Sequence, residues 1–173
     1  SSIRVPEKWH VLELAADNYN KCYWLGADSG IARIDPLSGR IYTASNNTIK
    51  DPILEAFGRL ENVGGIRPAV GGKTFSCNNW PRNSGNPLFH WFDRQTRKAT
   101  TLNIGNSLFP GYHEIKGQFI QSNGQLWVYG LPFAASYDPE SEKLNVIGQS
   151  AAQGSQLRFD NTHDMFEDRQ QNL

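Results

Sequence analysis

Two stretches of this chain repeat one another and decide its fold. Tyr23-Trp24-Leu25-Gly26 leads, through a glycine-containing turn, to Ile34-Asp35-Pro36. Leu126-Trp127-Val128-Tyr129-Gly130 leads in the same way to Tyr137-Asp138-Pro139. The two tryptophans are 103 residues apart, and so are the two Asp-Pro pairs. Because the tryptophans and the Asp-Pro pairs are separated by the same number of residues, they indicate an internal repeat.

An offset of this size is two periods of about 51 residues, so the repeat requires a middle copy. Leu88-Phe89-His90-Trp91-Phe92-Asp93 supplies the segment that ends in aspartate, although this copy lacks the tryptophan. It also contains an insertion, Asn78 to Pro87, where the other copies have a shorter loop. Residues 162–173 look like the opening of a fourth copy, with Leu173 at the position of Leu126.

The segments between the turns predict an all-β protein. The 16 glycines and 9 prolines are spread along the chain and separate short runs rich in aromatic and β-branched residues, a pattern typical of many short strands. One stretch differs, because Asp51 can cap a helix that begins at Pro52. Ile53, Leu54 and Phe57 follow at helical spacing, so we expect one or two helical turns that end near Gly58 or near Gly64-Gly65.

The repeat resembles the two-component regulator propeller repeat, on the strength of the Trp-containing segments and the Asp-Pro pairs quoted above. The resemblance implies β-propeller blades: about three four-stranded antiparallel blades and the start of a fourth. We place blade 1 at about 10–47, a helical insertion at about 50–60, blade 2 at about 62–104, blade 3 at about 115–148 and the start of blade 4 at about 157–173.

Each element of the repeat has a predicted structural role. Trp24 and Trp127 are expected to pack between adjacent blades, where a large ring is buried on both faces. The glycine that follows each tryptophan would allow a close turn. Asp35, Asp93 and Asp138 recur at equivalent positions, which indicates strand ends and turns held by side-chain hydrogen bonds.

The resemblance also implies a function. It predicts a non-catalytic sensor region of a bacterial signalling receptor, periplasmic or extracellular, that binds a carbohydrate-related ligand or a protein partner. Three blades and a start cannot close a ring of four to eight blades. The chain is therefore expected either to join the remaining blades of the same receptor or to self-associate through open blade edges. Two alternatives stay open: a propeller lyase or glycan-active hydrolase with site residues on further blades, and an oligomerising structural module.

Composition excludes several classes of partner. The 17 basic and 17 acidic residues give zero formal net charge, so neither nucleic-acid binding nor direct membrane binding is expected. No stretch approaches the roughly 18 apolar residues of a membrane helix.

Cys22 and Cys77 are predicted to be buried free thiols. The histidine and cysteine spacings match no metal site or catalytic motif, and no cofactor is expected.

The insertion in the middle copy is the best candidate for a binding site. It combines Trp80, Arg82 and several asparagines, and such a set can stack on a sugar or anchor a protein partner. A weaker candidate is the stretch 109–113. The candidate binding residues are Trp80, Arg82, Asn83, His90, Tyr112 and His113.

Overall fold

The computed structural model describes residues 5–69, 71–83, 85–104, 114–148 and 161–173, which form twelve strands and one short helix. The chain divides into two compact units, Ser1–Leu102 and Asn103–Leu173. The elements in chain order are β1 (Val11–Asp17), β2 (Cys22–Ala27), β3 (Gly30–Ile34), β4 (Ile41–Tyr42), α1 (Pro52–Phe57), β5 (Val63–Pro68), β6 (Thr74–Asn79), β7 (Leu88–Asp93), β8 (Lys98–Asn103), β9 (Glu114–Ile120), β10 (Leu126–Leu131), β11 (Phe133–Asp138) and β12 (Lys143–Gly148).

The strands form three separate four-stranded sheets, and neighbours along the chain are neighbours in each sheet. We call them blade 1 (β1–β4), blade 2 (β5–β8) and blade 3 (β9–β12). The registered strand pairs in all three blades are antiparallel. The predicted all-β fold of four-stranded blades is confirmed. The described residues 161–173 contain no strand, and they close a turn in which Asp168 N donates to the carbonyl of Asn172 (2.9 Å).

The repeated aspartates close the turn after the third strand of each blade, as predicted. The Asp35 carboxylate accepts hydrogen bonds from the Leu37 backbone (2.9 Å) and the Ser38 hydroxyl (2.8 Å). Asp93 accepts from the backbone of the second residue after it (2.7 Å), and Asp138 does the same (2.9 Å). Side-chain bonds from Ser38 and Ser141 lower the pKa values of Asp35 and Asp138, since hydrogen bonds to a carboxylate favour its charged form.

The predicted helix is also confirmed. The Asp51 side chain accepts from Ile53 N, Pro52 is the first helical residue, and the helix ends at Gly58. Arg33 on β3 holds the capping carboxylate through an ion pair of 2.8 Å. The buried face of the helix consists of Ile53, Leu54 and Phe57. The helix therefore joins blade 1 to blade 2 and contributes to the core between them.

The core between blades 1 and 2 is built around Trp24. Its side chain is fully buried, and its ring lies 4.9 Å from that of Phe75 in an edge-to-face arrangement, the geometry that aromatic pairs favour. The interblade role predicted for Trp24 is confirmed. The buried residues of this core are Cys22, Trp24, Ile31, Ile53, Leu54, Phe57, Val63, Ile66, Phe75, Cys77 and Phe92.

A buried polar network completes this interface. The Asp17 carboxylate accepts from the indole Nε1 of Trp24 (3.1 Å), from Asn20 and from Arg94 of blade 2 (3.3 Å). The Arg94 guanidinium also lies over the Trp24 ring, 5.8 Å from its centre. In blade 3 a neutral residue takes this role, because Trp127 Nε1 donates to Gln121 Oε1 (3.2 Å). The indole N–H thus donates to a carboxylate that is paired with an arginine in blade 1, and to an uncharged amide oxygen in blade 3.

The prediction that the glycine after each tryptophan forms a turn is wrong. Gly26 lies inside β2, and a Cβ atom there would be 2.4 Å from the carbonyl oxygen of Val63 in blade 2. Gly130 lies inside β10 at an irregularity in its pairing with β9, where a Cβ would be 1.8 Å from the Glu114 carbonyl oxygen. Both glycines are needed because backbone approaches them closely.

Candidate ligand-binding site

The insertion of blade 2 forms a loop at the end of the sheet where β6 finishes and β7 begins. It is shorter than predicted, since Asn78 and Asn79 belong to β6 and the loop proper is 80–87. Two backbone-directed bonds tie its start to Asn62: Trp80 N donates to the Asn62 carbonyl (3.3 Å), and Asn62 Nδ2 donates to the Trp80 carbonyl (2.9 Å).

Asn62 connects this loop to blade 1. It adopts a positive φ of 50°, a conformation that asparagine tolerates better than most residues. Its backbone N–H donates to the carbonyl of Asp28 (3.2 Å), in the turn between β2 and β3. The β2–β3 turn of blade 1 and the β6–β7 loop of blade 2 occupy equivalent positions in the two sheets. The hydrogen bonds of Asn62 therefore connect corresponding ends of the two sheets.

Four polar side chains gather at this junction, and we call His10, Asp28, Glu61 and Arg82 the Asp28 cluster. The Asp28 carboxylate accepts from the backbone N–H of His10 (3.0 Å) and from its Nδ1 (2.9 Å). An Arg82 guanidinium nitrogen lies 3.9 Å from Asp28 Oδ2. The backbone N–H of Arg82 donates to Glu61 Oε2 (3.3 Å).

The electrostatics of the cluster follow from these bonds. The backbone and side-chain hydrogen bonds from His10 lower the pKa of Asp28 to about 2, so the carboxylate is ionised at neutral pH. The Arg82 guanidinium lies near the Asp28 carboxylate and the Arg82 backbone N–H bonds to Glu61, so two acidic side chains accompany one arginine in the cluster. The site carries hydrogen-bond donors and acceptors without an excess of positive charge.

The polar groups of the cluster are accessible to a ligand. The side chains of His10 and Arg82 are 84% and 58% exposed, whereas Asp28 is 19% exposed. Trp80 is half-buried and lies two residues before Arg82 in the loop, and Asn83 is exposed. The half-buried Asp28 carboxylate therefore holds the exposed His10 imidazole in position, and the exposed Arg82 guanidinium lies near the same carboxylate.

The structure brings only some of the predicted residues together. Trp80, Arg82 and Asn83 share the loop. His90 lies in the interior of blade 2, where it is 2% exposed. Its Nε2 donates to Asn79 Oδ1 (2.7 Å), its Nδ1 accepts from Thr101 Oγ1 (2.9 Å), and burial lowers its pKa to about 4. Tyr112 and His113 lie outside the described residues.

The sequence analysis missed His10, Asp28 and Glu61. Their partners are distant along the chain: His10 and Asp28 are 18 residues apart, and Arg82 and Glu61 are 21 apart. One signal was available, because the repeat places Asp28 in the turn that corresponds to the loop of blade 2. No residue pattern within either segment predicted the contact.

The remaining sequence predictions concern thiols, metals and membranes. Cys22 and Cys77 are free and buried, as predicted, and burial raises the pKa of both thiols. Among the described residues, no group of three His, Cys, Asp or Glu side chains could hold a metal ion. In the same part of the chain, no helix is long and apolar enough to cross a membrane.

The three blades place the chain in the β-propeller class. No protein-family model matches the sequence, and no curated protein matches it either. Solved structures do share its fold. The extracellular domain of the proposed one-component system BT4673 from B. thetaiotaomicron aligns with a TM-score of 0.59 at 18% identity, over 92% of this chain and 18% of that domain.

Two further solved structures show the same likeness. The extracellular domain of the proposed hybrid two-component system BT3049 from B. thetaiotaomicron aligns with a TM-score of 0.53 at 11% identity, over 91% of this chain and 24% of that domain. The β-propeller domain of the Trilobed protease from Pyrococcus furiosus aligns with a TM-score of 0.52 at 12% identity, over 79% of this chain and 41% of that domain. The present chain thus spans less than half the length of each of these structures, and the likeness establishes the fold.

Proposed function

We propose that this chain is part of the extracytoplasmic sensor propeller of a bacterial signalling receptor of the two-component regulator propeller type. Its fold is that of extracellular domains from one- and two-component systems, and its repeat resembles that family. The proposed role is recognition of a carbohydrate-related ligand, without catalysis and without a cofactor.

The observation that carries the proposal is the Asp28 cluster beside the loop 80–87. Exposed guanidinium, imidazole and amide groups can donate to ligand hydroxyls, and Trp80 offers an aromatic surface for stacking. Because Asp28 and Glu61 offset the positive charge of Arg82, the site favours a neutral, hydroxyl-rich ligand over a strongly anionic one.

The test is direct binding of neutral oligosaccharides to the chain, screened on a glycan array and measured by calorimetry. Arg82→Ala is expected to weaken binding about tenfold or more, which is a typical loss for an interface arginine. Arg97→Ala is the matched control, because Arg97 is similarly exposed (63%) and pairs with Glu55 instead. Equal affinities of the Arg82→Ala and Arg97→Ala variants would contradict the proposed site, and so would a glycan array without binding.

A second candidate function is hydrolysis of a glycan, favoured by the His10–Asp28 pair. A carboxylate that fixes an exposed imidazole is the arrangement of a base and its orienting group. The same saccharides would then yield products over time, and His10→Ala would stop turnover. Binding without product formation favours the sensor.

A further inference from the structure

Two polar side chains are buried on the face of blade 2 that packs against blade 1. Asn79 and His90 are each 2% exposed. The register pairs His90 with Cys77, two residues before Asn79, so the two polar residues are diagonal neighbours on one face of the sheet. Phe75 lies on the same face, against Trp24 of blade 1. The apolar contact between the blades thus continues into a polar pair at the end of β6, where the binding loop begins.

Hydrogen bonds join this pair into a chain that has one direction. Asn79 Nδ2 donates to the Glu61 carbonyl (3.0 Å), so the amide oxygen of Asn79 is the atom that faces His90 Nε2 (2.7 Å). Because an amide oxygen only accepts, the imidazole proton is on Nε2, and Nδ1 accepts from the Thr101 hydroxyl (2.9 Å). Each donor thus has one acceptor, from Thr101 through His90 and Asn79 to Glu61.

The chain of hydrogen bonds ends at the segment that holds the binding loop in place. Glu61 and Asn62 follow helix α1 and lead into β5. The Glu61 carboxylate accepts from the backbone N–H of Arg82 (3.3 Å). Asn62 donates to the carbonyls of Asp28 and Trp80. The bond at the Glu61 carbonyl therefore anchors, from the interior, a segment that is attached to both sides of the site.

A ring contact places His90 against the same connection. Its ring centre lies 5.2 Å from that of Phe57, the last residue of α1, with an angle of 52° between the rings. The Phe57 carbonyl accepts from the N–H of Leu60 (3.0 Å), in the turn that leads to Glu61. His90 thus contacts the start of the connection from α1 to β5 directly and its end through Asn79. An apolar side chain could make the first contact, but it could not make the second.

We propose that His90 is a positioning residue for the binding site. Its bond to Asn79 fixes the amide that holds the Glu61 carbonyl, and the segment 61–62 in turn fixes the loop 80–87. Because His90 is buried, it acts on the loop without touching a ligand. The role in ligand binding rests on the proposed function, whereas the position of the loop can be measured without a ligand.

Two replacements of His90 separate its hydrogen bond from its packing. His90→Phe keeps a ring against Phe57 and removes the donor, whereas His90→Gln loses the ring and keeps an N–H that can donate to Asn79 Oδ1. A positioning role predicts that the loop is disturbed in His90→Phe and retained in His90→Gln, and a packing role predicts the reverse. Thr101→Val is the control, because it removes the other hydrogen bond of His90, which does not lead to Glu61.

The test is amide hydrogen exchange followed by NMR, which needs no sugar. In His90→Phe, the backbone N–H groups of Asn62, Trp80 and Arg82 are expected to exchange about tenfold faster than in the wild type, as the loss of one buried hydrogen bond predicts. The amides of β2 and β3 report the stability of the whole unit and are expected to change less. His90→Gln and Thr101→Val are expected to exchange like the wild type at these three positions.

Three exchange patterns would overturn the proposal. An acceleration shared equally by β2 and β3 would mean that His90 only stabilises the unit. Faster exchange of the loop in His90→Gln than in His90→Phe would assign the effect to packing. Equal acceleration in Thr101→Val would show that the bond to Asn79 has no special role.

Sugar binding is measured separately. Calorimetry with the neutral oligosaccharides that the wild type binds on the glycan array is expected to show a loss of affinity in His90→Phe and none in His90→Gln. Equal affinities of His90→Phe and the wild type would overturn the positioning role. A wild type that binds no sugar would contradict the proposed function alone, because the exchange experiment decides the role of His90 by itself.

Discussion

Removal of the Asp17 carboxylate should destabilise the interface between blades 1 and 2 strongly. The Asp17 side chain is 1% exposed and that of Arg94 is 17% exposed, so the pair is shielded from water. In Asp17→Ala, Trp24 Nε1 loses its acceptor and the guanidinium loses its counter-ion. Breaking one partner of a buried pair costs about 3–5 kcal/mol, and we expect a loss of about 3 kcal/mol.

The unpaired guanidinium is expected to cause most of this loss. Arg94 Nε is already buried without a hydrogen-bond partner among the described residues, so only the Trp24 ring would remain to stabilise the cation. Replacing the guanidinium in Asp17→Ala/Arg94→Met should therefore recover about 0.5–3 kcal/mol relative to additivity, the usual range for residues in contact.

Urea unfolding measures both effects. Tryptophan fluorescence and far-UV circular dichroism give the midpoint for the wild type, the two single variants and the double variant. Asp35→Ala is the control, because it removes a turn carboxylate at the surface and leaves no buried charge unpaired. Additive losses in the double variant would refute the reasoning, since they would mean that Asp17 and Arg94 do not stabilise each other.

Three further predictions follow from single contacts. Gly26→Ala should lower the free energy of urea unfolding by about 1–3 kcal/mol, as overpacking does, because the new Cβ would lie 2.4 Å from Val63 O. The control Gly85→Ala should leave this free energy unchanged, because open space surrounds Gly85. His90 has its pKa lowered by burial from 6.5 to about 4, so the unfolded chain binds more protons between these values. Stability should then fall as pH drops from about 6.5 to about 4, by up to about 3 kcal/mol, and His90→Gln should flatten that part of the curve; an unchanged slope would exclude His90 as the cause. Cys22 and Cys77 should react with Ellman's reagent only after unfolding, because burial raises the pKa of both thiols; rapid labelling of the native chain would contradict this.

The local features of the fold were predictable because each depends on residues close together in sequence. Asp35 bonds to residues two and three positions later, and Asp51 caps the helix through a residue two positions later. A repeated aspartate or an Asp-Pro pair carries that information by itself. The interblade position of Trp24 was predictable for a different reason, since it followed from the periodicity of the whole chain.

The features that sequence analysis missed depend on distant contacts. Gly26 is required because Val63 of the next blade approaches it, and nothing near Gly26 in sequence indicates that approach. The position of His10 depends on Asp28, and Arg82 contacts both Asp28 and Glu61. His90 was among the candidate binding residues, yet its place in β7 turns its side chain toward the interior.

The order of strands in each sheet has a consequence for synthesis on the ribosome. Because β1 to β4 are neighbours both in the chain and in the sheet, blade 1 can pair its strands as soon as they emerge. Trp24, however, is covered by Phe75, which is translated roughly 50 residues later. At about 5–20 residues per second, the indole face of a nascent blade 1 stays uncovered for several seconds. Each blade is thus most exposed to chaperones and to aggregation just before its successor arrives.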